Sequence, residues 1–101
     1  MFKDDNNEIY VPVTDSDGQP IPASDFIDAI YGIYDPYTGD KLFEGRLGQE
    51  IQIDGDQFKV TTARLDHKGA TFHEMRVKDV TGKISTIVQQ TITINDTRGS
   101  L

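Results

Sequence analysis

The sequence predicts an all-β domain in which two antiparallel sheets pack face to face. About seven short stretches alternate apolar and polar residues, and turn residues such as Asp and Gly separate them at short, regular intervals. The apolar residues are mostly Ile, Val, Phe and Tyr, which suit strands better than helices. No stretch keeps a helical period over a useful length. These observations favour a sandwich over a parallel α/β sheet.

The length and composition fit one domain with one core. The chain has 101 residues, near the usual size of a domain. We expect a flexible arm at residues 1–7, a single domain at residues 8–94 and a polar tail at residues 95–101. The sequence has no Cys, so the fold has neither disulfides nor a thiolate zinc site and depends on packing and backbone pairing.

The charge of the chain narrows the classes of partner. A net charge of -7 disfavours binding to nucleic acid, because that binding needs Lys and Arg to displace counterions. No apolar run approaches the roughly 20 residues of a membrane span. Acidic residues stand where a signal peptide carries a positive region. We therefore expect a soluble protein without a secretion signal and without nucleic-acid or membrane partners.

The first strand is expected around Ile9, Val11 and Val13, which alternate with their neighbours. Pro12 cannot donate a hydrogen bond to a ladder, so this strand is predicted at a sheet edge or with a break. Ile9, Val11 and Val13 are accordingly candidate edge-strand contacts for another subunit.

Four further strands are predicted in the middle of the chain, at Ile27–Tyr34, Lys41–Arg46, Glu50–Asp54 and Gln57–Thr62. The first of them is apolar on both faces, which is typical of a central strand. The turn Thr38-Gly39-Asp40 that follows it resembles Thr81-Gly82-Lys83 near the end of the chain, since each comes after a strand that ends in Asp.

The clearest hairpin runs from Phe72 to Ile94, with its turn at Thr81-Gly82-Lys83. In a regular register His73 faces inward with Met75 and Val77, whereas a β-bulge near His73 would turn Phe72 inward instead. The second strand of this hairpin is expected to place six residues on one face: Ile84, Thr86, Val88, Gln90, Ile92 and Ile94. Its unusual length predicts a bend or bulge near Gln89 and Gln90.

An immunoglobulin-like Greek key of about seven strands fits this strand count best, and a small β-barrel is the alternative. The Cys and Trp landmarks of antibody domains are absent, so the topology is inferred from the strand count alone.

The acidic and histidine residues do not predict a metal site. Asp15-Ser16-Asp17-Gly18 begins like a calcium loop, but the residues that follow lack the oxygen ligands of an EF-hand. Asp54 and Asp56 flank a Gly as in an ordinary turn. His67 and His73, the latter beside Glu74, lack a repeated ligand spacing. We expect no metal and no cofactor.

The sequence also gives no sign of a catalytic centre. It lacks Cys and the Gly-x-Ser-x-Gly elbow, and its Ser residues stand in turns or in the tail. A small hydrolase would instead need a pocket that holds His73 and at least one buried carboxylate. We expect a protein that is not an enzyme, with no catalytic residues.

Three tyrosines cluster in and after the second strand. Tyr31 is expected in the core. Tyr34 and Tyr37 flank Asp35-Pro36 and either cover the end of the sandwich, which we favour, or form an exposed platform for a glycan or a partner protein.

The order of these features resembles a family of phage proteins. DSDGQPIPASDF after an early strand, then IYGIYDPYTGD, a strand from Phe58 to Thr62, a corner that ends at Gly69 and finally EMRVKDVTGKIST are similar to the immunoglobulin-like domain at the N-terminus of phage baseplate upper proteins and similar short virion proteins. The resemblance covers most of residues 8–94. It departs at His73, where that pattern prefers a large apolar residue, and at Phe72, one place later than expected.

The resemblance implies a non-enzymatic structural protein of a bacteriophage particle, in the tail, the baseplate or the head-to-tail region. Its partners would be other virion proteins or further copies of itself, and it would be assembled into the virion in the host cytoplasm. The alternative function is a carbohydrate-binding or adhesive module with Tyr34 and Tyr37 as the contact platform.

Overall fold

The computed structural model describes residue 1 and residues 5–95. In this part the chain forms a single 3-10 turn at Ala23–Asp25 and seven strands: β1 (Glu8–Pro12), β2 (Phe26–Tyr34), β3 (Lys41–Arg46), β4 (Ile51–Asp54), β5 (Gln57–Thr61), β6 (Gly69–Asp79) and β7 (Ile84–Ile94). The predicted number of strands is confirmed. Among the described residues no helix is long and apolar enough to cross a membrane.

The seven strands form two antiparallel sheets. One sheet has the order β1-β5-β4 and the other the order β3-β2-β6-β7. These orders are those of strands B-E-D and C′-C-F-G in the immunoglobulin fold. The predicted immunoglobulin-like sandwich is confirmed, and the alternative of a closed barrel is wrong. The described residues contain no strand in the place of strand A, beside β1.

The core lies between the inner faces of the two sheets. Alternation along each strand sends every second side chain inward, because successive residues of a strand point to opposite faces. The largest buried apolar side chains from both sheets are Tyr31, Ile33, Ile51, Phe58, Met75 and Ile94. Val13, Ala23 and Leu65 add to the core from the connecting segments. Tyr31 occupies the core as predicted.

The turn between β6 and β7 is built on the carboxylate of Asp79. One oxygen of Asp79 accepts hydrogen bonds from the backbone N–H groups of Thr81, at 2.9 Å, and Lys83, at 3.0 Å. The Thr81 hydroxyl also donates to it, at 2.6 Å, and this bond lowers the pKa of the Asp79 carboxyl. Gly82 has a φ of +88°, a left-handed conformation that Gly adopts without a steric cost.

The predicted likeness between the two turns is confirmed. Asp35 directly follows β2 and caps the turn in the same manner. One of its carboxylate oxygens accepts hydrogen bonds from the N–H groups of Tyr37, at 2.8 Å, and Thr38, at 3.2 Å. Gly39 has a φ of +76°, close to that of Gly82. An Asp that caps the turn and a Gly that closes it therefore define both hairpins.

A β-bulge in β7 changes which of its residues face inward. Met75 of β6 lies opposite Val88, and the next residue, Arg76, lies opposite Thr86, so Ile87 is the extra residue. The prediction that Ile84 to Ile94 share one face is therefore wrong at the start of the strand. Ile84 and Thr86 pair with the outward residues of β6, and Ile84 is 54% exposed. The predicted irregularity exists, but two residues before Gln89.

In β6 the regular register is the one that forms around His73. His73 is fully buried and pairs with Ile33 on one side and Gln90 on the other. Phe72 lies on the outer face and is opposite Tyr34. The alternative with Phe72 in the core is wrong, because the bulge is not at His73.

The described residues before β1 contact the ends of strands in both sheets. The N–H of Thr62 donates to the carbonyl of Asn7, at 2.8 Å, and the side chain of Asn6 donates to the carbonyl of Thr62, at 3.1 Å. The carbonyl of Met1 accepts from the N–H of Asn95, at 2.9 Å. Residues 2–4 of the predicted arm and residues 96–101 of the predicted tail lie outside the described residues.

Replacing Gly82 by Ala tests the turn between β6 and β7. We expect Gly82→Ala to lower the free energy of unfolding by about 1–2 kcal/mol, because a Cβ disfavours the left-handed conformation. Gly82→Asn should lose less, since Asn tolerates that conformation. Urea denaturation followed by circular dichroism measures both. Equal stability of the Ala variant and the unmodified chain would contradict this account of the turn.

Candidate functional site

The two tyrosines predicted as a contact platform lie in different environments. Tyr37 projects from the turn between β2 and β3 and is 88% exposed. Tyr34 is half-buried on the outer face of its sheet, and its ring covers Gly32, where a Cβ would lie 2.5 Å from the Tyr34 hydroxyl oxygen. One ring thus lies against its own sheet while the other extends into solvent.

The apolar residues predicted as contacts in and just after β1 point toward the core, whereas Glu8, Tyr10 and Pro12 of β1 are exposed. β1 pairs only with β5 and is an edge strand, as its Pro12 predicts. Val11 and Val13, however, are only 5% and 3% exposed, and Ile9 is half-buried against the core. A contact made by this edge would therefore use its backbone and not the side chains of Val11 and Val13.

The acidic turn at Asp15 is closed by the chain's own backbone. One carboxylate oxygen of Asp15 accepts from the N–H groups of Asp17, at 2.9 Å, and Gln19, at 3.0 Å. This is the hydrogen-bond pattern of the Asp79 turn, which explains the acidic residue without a metal ion. Within residue 1 and residues 5–95, no group of three or more His, Asp or Glu side chains is placed to hold a metal ion.

A chain of side-chain hydrogen bonds crosses the four-stranded sheet at His73. The Tyr31 hydroxyl lies 2.6 Å from Nδ1 of His73, and Nε2 of His73 lies 3.0 Å from the Thr71 hydroxyl. The Thr71 hydroxyl donates its only proton to the carbonyl of Ile92, at 2.6 Å. It therefore accepts from Nε2–H of His73, and Nδ1 accepts from Tyr31. The chain of donors runs in one direction from β2 through β6 to β7.

Burial keeps the hydrogen-bonded side chains of His73 and Tyr31 uncharged at pH 7. Burial lowers the pKa of His73 to about 4, with a smaller contribution from the positive N-terminal ammonium group, and burial raises the pKa of Tyr31 to about 12. His73 is thus neutral at pH 7, in one tautomer. Its hydrogen-bond partners, Tyr31 and Thr71, are neutral as well, so they do not supply the buried carboxylate that a hydrolase built around His73 would need.

The described part of the sandwich has four edge strands, and three of them carry features that discourage pairing with another chain. β1 has Pro12 and Glu8, and β4 has only four residues. β3 carries three charged residues: Lys41, Glu44 and Arg46. Charges, Pro and short length are the usual means by which proteins protect sheet edges.

The fourth edge, β7, has none of these protections. It is 11 residues long, and its sequence, ISTIVQQTITI, contains no charged residue, no Pro and no Gly. Each of the other six strands in the described part of the chain carries at least one charged residue. A long uncharged edge of β-branched residues readily accepts another strand. Among the described residues no strand pairs with the outer side of β7, and the contact of Met1 with Asn95 lies just beyond its end. We call this side the free edge of β7 and take it as the candidate functional site.

A groove runs beside this edge. Its walls are residues 9–12 of β1 and residues 87–90 of β7, and Tyr31 reaches it from the core. The volume of the groove is about 350 Å³, and no charged residue lines it. It lies at the side of the sandwich where β1 of one sheet faces β7 of the other. This is beside the place that strand A takes in a complete immunoglobulin domain.

The sequence predictions named the edge at β1 and did not identify the edge at β7. The signal was present, because residues 84–94 form the longest uncharged alternation in the chain. Its meaning depends on strand order, since the same residues in a central strand would be ordinary core formers. Only the topology places β7 at an edge.

Comparisons of this chain with protein-family models, with curated proteins and with solved structures gave no match.

Removing the Tyr31 hydroxyl tests the hydrogen-bond chain. We expect Tyr31→Phe to lower the free energy of unfolding by about 1–3 kcal/mol, because Nδ1 of His73 would be buried without a donor. Tyr37→Phe removes the same atom from an exposed ring and should change stability by less than about 0.5 kcal/mol. Chemical denaturation of the two variants gives the comparison, and equal effects would exclude the proposed bond to His73.

The burial of neutral His73 predicts a pH dependence of stability. Between pH 6.5 and pH 4 the unfolded chain binds a proton at His73 that the folded chain does not bind, so stability falls as the pH falls through this range. The loss from this group is on the order of 3 kcal/mol. It should be absent in His73→Gln, whereas the contribution of the carboxylates remains. Urea denaturation from pH 4 to pH 7 measures both, and parallel profiles would contradict the prediction.

Proposed function

We propose that this domain is a non-enzymatic structural protein of a bacteriophage particle that acts through protein–protein contacts at the free edge of β7. The observation that carries the contact part of the proposal is the absence of charge, Pro and Gly along an 11-residue edge strand. The similarity of its turn and strand pattern to the N-terminal domain of phage baseplate upper proteins supports the phage part.

A neighbouring chain can bind this edge by adding a strand to the four-stranded sheet. An edge strand presents a row of unpaired N–H and C=O groups, and an added strand satisfies them while its alternate side chains give specificity. The edge of β7 is about 36 Å long at the rise of an antiparallel strand. Such a contact needs no pocket and no cofactor, which suits a rigid assembly module.

The acidic composition suits a subunit that is stored free before assembly. A net charge of -7 keeps separate copies soluble, because they repel one another at long range. The proposed partners are other virion proteins or further copies of the chain, and not nucleic acid or a membrane. The proposed location is the virion, in the tail, the baseplate or the head-to-tail region, after assembly in the host cytoplasm without a secretion signal.

A carbohydrate-binding or adhesive module is the second candidate, and the exposed ring of Tyr37 favours it. Tyr34 could join such a site only from the outer face of the sheet. Chemical-shift changes at Tyr37 on titration with a panel of glycans would support this function, and no change across the panel would count against it.

The structural role predicts that the protein is part of the finished particle. Mass spectrometry of purified virions from the phage or prophage that encodes the chain should detect it in a fixed ratio to the major structural proteins. Its absence from purified particles, with the protein present in the lysate, would refute the virion role.

The role of β7 predicts that a charge on this edge reduces incorporation into particles. Thr91→Lys places Lys at an exposed position of β7 and should lower the amount of the protein in virions severalfold. Thr61→Lys makes the same change at an exposed position of β5, which is covered by strands on both sides, and should incorporate normally. Equal incorporation of the two variants would exclude the β7 edge as the contact.

A further inference from the structure

We infer that the free edge of β7 binds β7 of a second copy of this chain, antiparallel and about a two-fold axis at Gln90. The inference rests on the proposed function, since it names the partner of the same edge. The result would be a dimer whose two four-stranded sheets join into one sheet of eight strands.

The distribution of charge favours β7 as the seam between two copies. Two chains that each carry a net charge of -7 can approach closely only where they do not place like charges opposite one another. β7 is uncharged along its whole length. The other edges of the described sheets bring charged residues into the seam, three on β3 and one, together with Pro12, on the five-residue β1, or offer a strand of only four residues.

The bulge limits where the seam can form. Beyond Ile87 the strand alternates regularly, with Val88, Gln90 and Ile92 opposite inward residues of β6, and with Gln89 and Thr91 on the outer face. Residues that pair across two strands share a face of the sheet. A symmetric antiparallel seam must therefore place a residue of β7 opposite the same residue of the second copy.

A two-fold axis at Gln90 gives the best match of side chains. Val88 then lies opposite Ile92 of the second copy, and Gln89 lies opposite Thr91 of the second copy. Gln90 lies opposite Gln90 of the second copy, and two amide side chains can both donate to and accept from each other. Within residues 88–92, each apolar residue meets an apolar residue, and each polar residue meets a polar one.

The neighbouring symmetric arrangements match less well. An axis at Gln89 sets Val88 opposite Gln90, and an axis at Thr91 sets Gln90 opposite Ile92. Both leave an apolar side chain facing an amide. Val88 and Ile92 are only half-buried in the single chain, so the arrangement with its axis at Gln90 also covers the apolar surface that β7 leaves exposed beside the groove.

Sedimentation velocity of the full chain over a range of concentrations tests the dimer. We expect a monomer–dimer equilibrium for the unmodified chain. Gln90→Glu nearly preserves the shape of the side chain and places two carboxylates face to face at the axis, so dimerisation should weaken about tenfold or more. Gln52→Glu on β4 makes the same change in net charge away from the seam and should leave dimerisation within about twofold.

Cross-linking tests the position of the axis, because the chain has no native Cys. Gln90→Cys places two thiols directly across the axis and should give a disulfide-linked dimer on mild oxidation. Thr93→Cys places them about 20 Å apart and should not. A dimer with efficient cross-linking at residue 93 and none at residue 90 would overturn the proposed register.

A chain that stays monomeric at all concentrations, with no cross-link at residue 90, would overturn the second copy as the partner. That result leaves the virion role standing, since another virion protein could bind the same edge. Absence of the protein from virions refutes the proposed function and does not affect a dimer measured in solution. The two failures are therefore distinguishable.

Discussion

The position of β7 depends on the buried hydrogen-bond chain that begins at Tyr31. An edge strand is paired on one side only, and β7 contributes few fully buried side chains to the core. The series of hydrogen bonds from Tyr31 through His73 and Thr71 ends on the carbonyl of Ile92. Side-chain hydrogen bonds therefore connect β7 to the centre of the sheet in addition to its backbone ladder. Because each donor in this chain has one acceptor, the arrangement fixes one tautomer of His73 and one position of the strand.

The bulge at Ile87 gives the two parts of β7 different roles. Before it, Ile84 and Thr86 face outward beside the turn that Asp79 caps. After it, Val88 and Ile92 face the core side of the sheet, and Val88 also lines the groove. Without the extra residue, the same side chains would lie in one row, and the whole apolar face of the strand would turn to one side. The bulge thus confines the proposed contact to the regular half of the strand.

Local chemistry predicted most of the fold, and long-range pairing accounts for the rest. Strand alternation and Asp–Gly turns depend only on residues that are close in sequence. For this reason the seven strands and the similarity of the turns at Gly39 and Gly82 were predicted correctly. The extra residue at Ile87 depends on how β7 aligns with β6, and alternation in β7 alone cannot show it. The edge status of β7 depends on strand order, so the candidate site was assigned to β1, which has an edge signal of its own in Pro12.

A sheet edge without protection carries a cost, since it can pair with unrelated strands and aggregate. One Lys on the exposed face of β7, for example at Thr91, would lower that hazard with little effect on the packing of the core. The chain instead places its charges on the other strands, including three on β3 at the opposite edge of the same sheet. Within this sheet one edge is protected by charge and the other is not, and this asymmetry is the physical basis for proposing that the contact lies at β7.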